Sequence, residues 1–199
     1  MAGLLESDSY MIRQKVLKLL GEEFHIYSDD SMKNMIGYSK QKALKLKEDI
    51  RVYSDEQKTV ELLRIKQSGM LDFKGNFEII DGPSGQNIAS IKRKAIMSIG
   101  KDSYKVIDTK GREVGEITED SLGLALVRRF VPFATYLMPQ KFVMKVGGAP
   151  GKVVYSQTMN PMVHKLMVSG VSSSGIDPRI AAAGAILLIA IEGKQTQAG

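Results

Sequence analysis

Pairs of basic residues separated by one position are the most regular chemical feature of this sequence. The pairs are Arg13/Lys15, Lys40/Lys42, Arg64/Lys66 and Lys92/Lys94. In a β-strand, alternate side chains lie on the same face, so both members of each pair would project from one face of a strand. Such a face can bind phosphate groups, and each Lys near an anionic membrane contributes about 1 kcal/mol to the free energy of binding. The alternative is that these positions are simply solvated, with Lys discouraging edge-to-edge association of strands.

Two adjacent arginines lie within a long apolar stretch, residues 121–139 (SLGLALVRRFVPFATYLMP). Arg128 and Arg129 stand beside Phe130, and cations next to large apolar groups are typical of a membrane interface. The alternative is a short helix from Ser121 to a stop at Pro132 that covers one end of the fold. The residues predicted to bind an anion or a lipid headgroup are Lys40, Lys42, Lys92, Lys94, Arg128 and Arg129.

The sequence gives little indication of catalysis or of a metal site. It contains no Cys, which excludes disulfides, thiolate catalysis and Cys-based metal sites. His25 and His164 are far apart, and His25 occupies an outward strand position, which predicts a solvated side chain. The glycine-rich segments DGPSG and VGGAPG match neither a P-loop nor a dinucleotide fingerprint and are typical of hairpin turns. We therefore expect a protein that is not an enzyme, with no cofactor and no metal ion.

The length, charge and composition of the chain are typical of one basic globular domain. The chain has 199 residues, a formal net charge of +6 and 43% hydrophobic residues. These values suit a single core of substantial size, and the positive charge favours anionic partners. The N-terminal residues show no cationic segment followed by an apolar one, so no signal peptide is predicted. We expect a cytoplasmic protein, either free or peripheral to a membrane.

A repeat of about 26 residues organises the first half of the chain. RQKVLKLLGEEFHIYSD (13–29) recurs as KQKALKLKEDIRVYSD (40–55), and weaker copies end in FEIID (77–81) and YKVID (104–108). The closing aspartates Asp29, Asp55, Asp81 and Asp108 are spaced by 26, 26 and 27 residues. A looser fifth copy is FVMKVGG (142–148). Each copy contains an alternating apolar and polar run, which is the pattern of a half-buried strand.

Turn-forming residues follow each closing Asp, and a second strand follows the turn, as in residues 87–94 and 113–119. Each repeat is therefore interpreted as a hairpin with its connection. Tandem hairpins form a meander, and a meander of about ten or more strands curls into a closed or nearly closed barrel. A solenoid is the alternative for such a period, but its usual sequence signatures are absent.

The C-terminal region predicts a helix that the barrel surrounds. Asp177 and Pro178 provide an N-cap and a first helical residue, Gly193 a stop, and no polar side chain occurs from Ile180 to Ile191. Twelve residues at ~1.5 Å each span roughly 18 Å, too little for the ~30 Å hydrocarbon layer of a bilayer. A buried helix is therefore favoured over a membrane anchor. Gly184 in mid-helix suggests that a strand backbone passes close by.

Four segments resemble a known family. They are YMIRQKVLKLLGEEFHIYSDD, FEIIDGPSGQNIASIKRK, YKVIDTKGREVGEITED and DPRIAAAGAILLIAIE, and together the resemblance runs from Tyr10 to Glu192. The chain resembles the LURP-one-related family and, more weakly, the phospholipid scramblases, within the tubby-like architecture. The resemblance implies a closed barrel of about twelve strands around a central helix. It also implies phosphoinositide headgroup binding in the tubby relatives, whose lipid-binding residues cannot be placed residue by residue on this sequence.

The predicted organisation is an N-terminal tail (1–9), one barrel domain (10–193) with a core helix at about 178–192, and a C-terminal tail (194–199). The leading functional hypothesis is a non-enzymatic module that binds anionic phospholipid headgroups or another anionic ligand. One alternative is a protein-interaction scaffold without a lipid ligand, which binds protein through the barrel wall or through loops that contain Met159, Met162 and Met167. Another is a scramblase-like membrane-associated protein, for which the apolar helix is short. Nucleic acid is not favoured, because the basic strands lack interleaved aromatic residues. The oligomeric state stays open.

Overall fold

The computed structural model describes residues 3–17, 21–41, 49–68, 75–95, 102–120, 140–158 and 164–197. This part of the chain forms twelve β-strands, a short 3₁₀ helix at Leu4–Glu6 and two α-helices. The strands are β1 (Tyr10–Leu17), β2 (Gly21–Tyr27), β3 (Met35–Gln41), β4 (Ile50–Tyr53), β5 (Glu61–Gln67), β6 (Asn76–Asp81), β7 (Asn87–Ala95), β8 (Asp102–Ile107), β9 (Glu113–Glu119), β10 (Lys141–Val146), β11 (Val153–Gln157) and β12 (Lys165–Ser169). The helices are α1 (Val171–Ser174) and α2 (Pro178–Gln197).

The strands close into a single antiparallel barrel. Each strand pairs with its neighbour in sequence, and β1 pairs with β12 through the register Tyr10 to Val168. Closure leaves no unpaired sheet edge, which tandem hairpins otherwise expose. The predicted closed barrel of tandem hairpins is confirmed.

The centre of the barrel is filled by α2. Its side chains from Ala181 to Ala190 are buried, and Ile186 is fully inaccessible to solvent. They pack against inward strand residues such as Ile12, Phe24 and Ile117. A helix that is apolar on all sides requires this kind of burial, because no face of it interacts well with water. The predicted central helix and its start at Pro178 are confirmed. The predicted stop at Gly193 is wrong, because the helix continues through that glycine to Gln197.

Among the described residues, no helix is both long enough and apolar enough to cross a bilayer.

Gly184 approaches side chains rather than a strand backbone. A Cβ added there would lie 2.8 Å from Met144 Cε, 3.0 Å from the Tyr155 hydroxyl and 3.2 Å from Ile117 Cδ1. The expected close approach of a strand backbone is therefore wrong. Three large inward side chains of the barrel wall fill the space beside the glycine, and the small residue makes room for them.

The closing aspartates of the repeat stabilise the hairpin turns. Asp29 accepts a hydrogen bond from the Ser31 backbone N–H at 2.8 Å. In the same way Asp55 accepts one from Thr59 at 3.0 Å. Equivalent bonds run from Ser84 to Asp81 and from Lys110 and Arg112 to Asp108. These local bonds to turn N–H groups explain why the same residue recurs at the end of each unit.

The two ends of the barrel differ. The end that carries the four closing aspartates and the start of α2 is here called the Asp-turn end. The opposite end, where the strands finish at residues such as Gln41, Ala95 and Glu119, is called the far end. At the far end, β1, β3, β5, β7 and β9 end and β2, β4, β6, β8 and β10 begin.

Candidate anion-binding surface

Lys92 and Lys94 lie on the outer wall of the barrel near its far end. Ile91, between Ala89 and Arg93 on the inward face of β7, is fully buried, so the alternate positions point outward. Both lysines are exposed. In the register, Lys92 stands opposite Asn76 of β6 and Lys105 of β8. The predicted projection of both lysines from one strand face agrees with this arrangement.

These two lysines have no ion-pair partner among the described residues. Lys105 differs from them, because its ammonium contacts the carboxylate of Glu113. Glu116 of β9 also stands opposite Lys105 in the register. Among the described residues, the ammonium groups of Lys92 and Lys94 are therefore the unpaired charges of β7 on this wall.

Lys40 is in a different electrostatic environment. Its Nζ lies 3.0 Å from Glu23 Oε1 on the neighbouring strand β2. Burial raises the pKa of Glu23, but hydrogen bonds from Lys40 and Tyr38 outweigh it and leave the pKa below its ordinary value. The carboxylate is thus held ionised, and it neutralises Lys40 in the structure.

Carboxylates also contact or stand opposite basic residues of other pairs. Glu61 contacts Arg64 at 2.8 Å and Arg51 at 3.4 Å. Glu78 stands opposite Lys66 in the register of β5 and β6. The repeated basic pairs consequently do not form one uninterrupted cationic stripe around the wall. Register places an acidic residue beside several of them.

Three of the predicted residues, Lys42, Arg128 and Arg129, lie outside the described residues. The three that are described, Lys40, Lys92 and Lys94, lie in the halves of β3 and β7 nearer the far end.

His25 faces outward but is not solvated. It is only 9% exposed, and its Nε2 lies 3.2 Å from Glu56 Oε1 in the turn between β4 and β5. Its ring centroid is 5.5 Å from that of Tyr38 on β3. The prediction of a solvated side chain is wrong, because residues from two other parts of the chain cover this position. The alternation of residues in β2 does not indicate that other strands and turns cover His25.

Sequence reasoning missed a group of polar side chains inside the barrel near the far end. Gln14 and Glu22 are in phase with the buried residues Ile12 and Phe24, and so face the interior. Ser39 and Gln41 are opposite Phe24 and Glu22 and share that face. The strand phase of Tyr10 and Ile12 could have placed Gln14 inside, but the notable property, unpaired polar atoms, depends on neighbouring strands.

Within the described ranges, no three His, Asp or Glu side chains are arranged to hold a metal ion.

No protein-family model matches the chain, and neither does any curated protein. Among solved structures, an X-ray structure of a protein from Arabidopsis thaliana is similar, with a TM-score of 0.55 and 11% sequence identity. The similarity covers 94% of this chain and 93% of that chain. At this identity it shows a common fold over nearly the whole length. Membership of the LURP-one-related family stays a prediction.

Proposed function

We propose that this protein is a non-enzymatic binding module whose barrel docks, far end first, on anionic phospholipid headgroups. The observation that carries the proposal is the pair Lys92 and Lys94, exposed at that end and without an ion-pair partner among the described residues. An ammonium group that is not neutralised by the protein is available for phosphate.

The composition of the sequence between the strands supports this orientation. The stretches of sequence between strand termini of the far end (18–20, 42–49, 68–75, 96–101, 120–140 and 158–164) contain eight Lys or Arg against four Asp or Glu. They also contain twenty-two Leu, Ile, Val, Met or Phe residues. The connections at the Asp-turn end contain five basic and six acidic residues, with four large apolar ones. Cations combined with large apolar residues match the composition of segments that bind a membrane interface.

Co-sedimentation with vesicles tests the proposal. Vesicles of phosphatidylcholine alone would be compared with vesicles that also contain phosphatidylserine, at low and physiological salt. We expect binding only to the anionic vesicles, weaker at higher salt because screening shortens the range of the attraction. Replacing Lys92 and Lys94 by Ala should weaken that binding by at least about tenfold, at about 1 kcal/mol for each lysine.

The matched control removes two lysines at the Asp-turn end, Lys33 and Lys110. This variant has the same net charge as the test variant, so an orientation-specific surface predicts binding close to that of the wild type. Equal weakening in both variants would indicate a non-specific charge effect. Absence of binding to either vesicle would contradict the lipid proposal and favour the protein-interaction alternative.

A further inference from the structure

Four polar side chains inside the barrel keep atoms without a hydrogen-bond partner in the described part of the chain. They are both amide atoms of Gln14, Oε2 of Glu22, Oγ of Ser39 and Oε1 of Gln41. Gln14 is 3% exposed, Gln41 9%, and Ser39 is fully buried. Buried polar groups are almost always paired with protein atoms, ordered water or a ligand, because burial without a partner costs free energy. An unpaired group of this size therefore calls for an occupant.

The register brings these side chains onto one interior surface of β1, β2 and β3. Glu22 and Gln41 are directly opposite each other, and cross-strand neighbours have Cβ atoms about 5 Å apart. In the adjacent row, Gln14 and Ser39 stand on either side of Phe24. This group of four is here called the interior polar cluster. Interior residues further along α2, such as Ile26 and Ile186, are apolar.

The chemistry of the interior polar cluster is that of an oxygen-rich site with one negative charge. It offers a carboxylate oxygen, two amide oxygens and a hydroxyl, and oxygen is the donor atom that hard cations prefer. A divalent ion such as Ca²⁺ takes six to eight oxygens and usually several carboxylates, whereas the cluster has one. One carboxylate balances one unit of positive charge.

We propose that the interior polar cluster binds a monovalent metal cation, held by Glu22, Gln41, Gln14 and Ser39. The nearby basic residues of the same strands do not oppose this. Arg13, Lys15 and Lys40 occupy outward positions, as does His25. Arg93 and Glu119 also face the interior, but from β7 and β9 rather than from the three strands of the cluster. The site is independent of lipid binding on the outer wall.

Thermal unfolding in different chloride salts at one ionic strength tests this inference. The wild type should unfold several degrees higher in potassium or sodium chloride than in tetramethylammonium chloride, because the methyl groups of that cation prevent direct coordination by oxygen atoms. A ligand that binds the folded state alone raises its stability in this way. In Glu22→Gln, which keeps the shape but removes the charge, the difference between salts should disappear. Glu78→Gln, on the outer wall, should behave like the wild type.

Equal midpoints in all salts, or a salt difference that persists in Glu22→Gln, would overturn the proposal. If Glu22→Gln does not fold, a second measurement decides. Crystals of the wild-type chain soaked in rubidium chloride should show an anomalous scattering peak among Glu22, Gln41 and Gln14. A cluster filled by water alone, with no such peak, would overturn the proposal as well.

Discussion

Arg179 Nη1 lies 2.8 Å from Asp81 Oδ1, so the first turn of the central helix is tied to the hairpin turn after β6. The other terminal nitrogen of the same guanidinium donates to Asp177 Oδ2 at 2.6 Å. Hydrogen bonds to Asp177 and then to Asp81 raise the pKa of Arg179. One residue therefore joins the helix start, its own capping residue and the barrel wall, and it fixes how far the helix enters the barrel.

Arg179→Ala is expected to reduce the free energy of unfolding by about 1–3 kcal/mol, the usual range for hydrogen bonds to charged groups. Urea unfolding followed by circular dichroism measures the change. The control is Arg112→Ala, which breaks an ion pair with Asp108 made by an arginine that is 68% exposed. Exposed pairs contribute little, so this variant should stay close to the wild type. Equal losses in both variants would contradict a special role for Arg179.

Acid should destabilise the barrel through the closing aspartates. A hydrogen bond from Ser84, and after it one from Arg179, holds the pKa of Asp81 below its ordinary value of 3.8. A carboxyl group whose pKa is lowered by folding stabilises the folded state above its unfolded pKa. That contribution is lost as the pH falls through the folded value. The unfolding midpoint of the wild type should therefore decline as the pH falls below about 4.

The variants Asp81→Asn and Asp30→Asn separate this effect from a general effect of acid. Asp81→Asn should be less stable at neutral pH and show a shallower decline in acid, because one of the titrating groups is gone. Asp30 lies in the turn of Asp29 but makes no side-chain hydrogen bond within the described residues. Asp30→Asn should therefore reproduce the wild-type curve, and a shallower decline in that variant instead would refute the assignment.

Because α2 is buried, we expect a large loss of stability when one of its side chains is truncated. Ile186 is fully buried between the barrel walls, and Ile186→Ala should cost about 2–5 kcal/mol of unfolding free energy. Val60→Ala removes a similar side chain that is 46% exposed, and its effect should stay within about 0.5 kcal/mol. Chemical denaturation of both variants measures the contrast. A small effect at Ile186 would show that the helix is not the core.

Gly184 allows a size series within the helix. In Gly184→Ala, the gain in helix propensity of about 1 kcal/mol opposes the contact with the flexible end of Met144 and with the Tyr155 hydroxyl. We expect the gain and the cost nearly to cancel, so that Gly184→Ala is about as stable as the wild type. Gly184→Leu overfills the same space and should destabilise by about 1–3 kcal/mol. Thermal unfolding distinguishes the two, and similar midpoints would mean that the space beside α2 is larger than the structure shows.

The fold was predictable because its determinants are local and repeated. Alternation around Phe24 and Ile26 marks a strand, Asp29 marks its turn, and the same pattern recurs at Asp55, Asp81 and Asp108. The apolar run after Pro178 needs a buried environment whatever surrounds it. None of these inferences required knowledge of which residues lie side by side in space.

The candidate site was less predictable because it depends on register. Lys40 and Lys92 occupy the same kind of position in the sequence, yet Glu23 faces one and Asn76 and Lys105 face the other. A shift of one residue in pairing changes every such neighbour. His25 and Gln14 were missed for the same reason, since their surroundings come from other strands.

The salt bridge between Glu23 and Lys40 makes a prediction that rests on the proposed function. Glu23→Gln removes the negative charge that neutralises Lys40, and the free ammonium should attract anionic vesicles more strongly. One additional lysine near an anionic surface contributes about 1 kcal/mol, so the affinity should rise roughly fivefold. Co-sedimentation with vesicles that contain phosphatidylserine measures the change, and the gain should shrink as salt is added.

The double variant Glu23→Gln, Lys40→Ala identifies the source of that gain. If the released Lys40 binds the headgroups, the double variant loses the increase and the single variant keeps it. A similar increase in both would mean that the loss of one acidic charge, rather than Lys40 itself, strengthens binding. Unchanged affinity of Glu23→Gln would show that the wall around β3 does not contact the membrane, and would restrict the docking surface to the neighbourhood of Lys92 and Lys94.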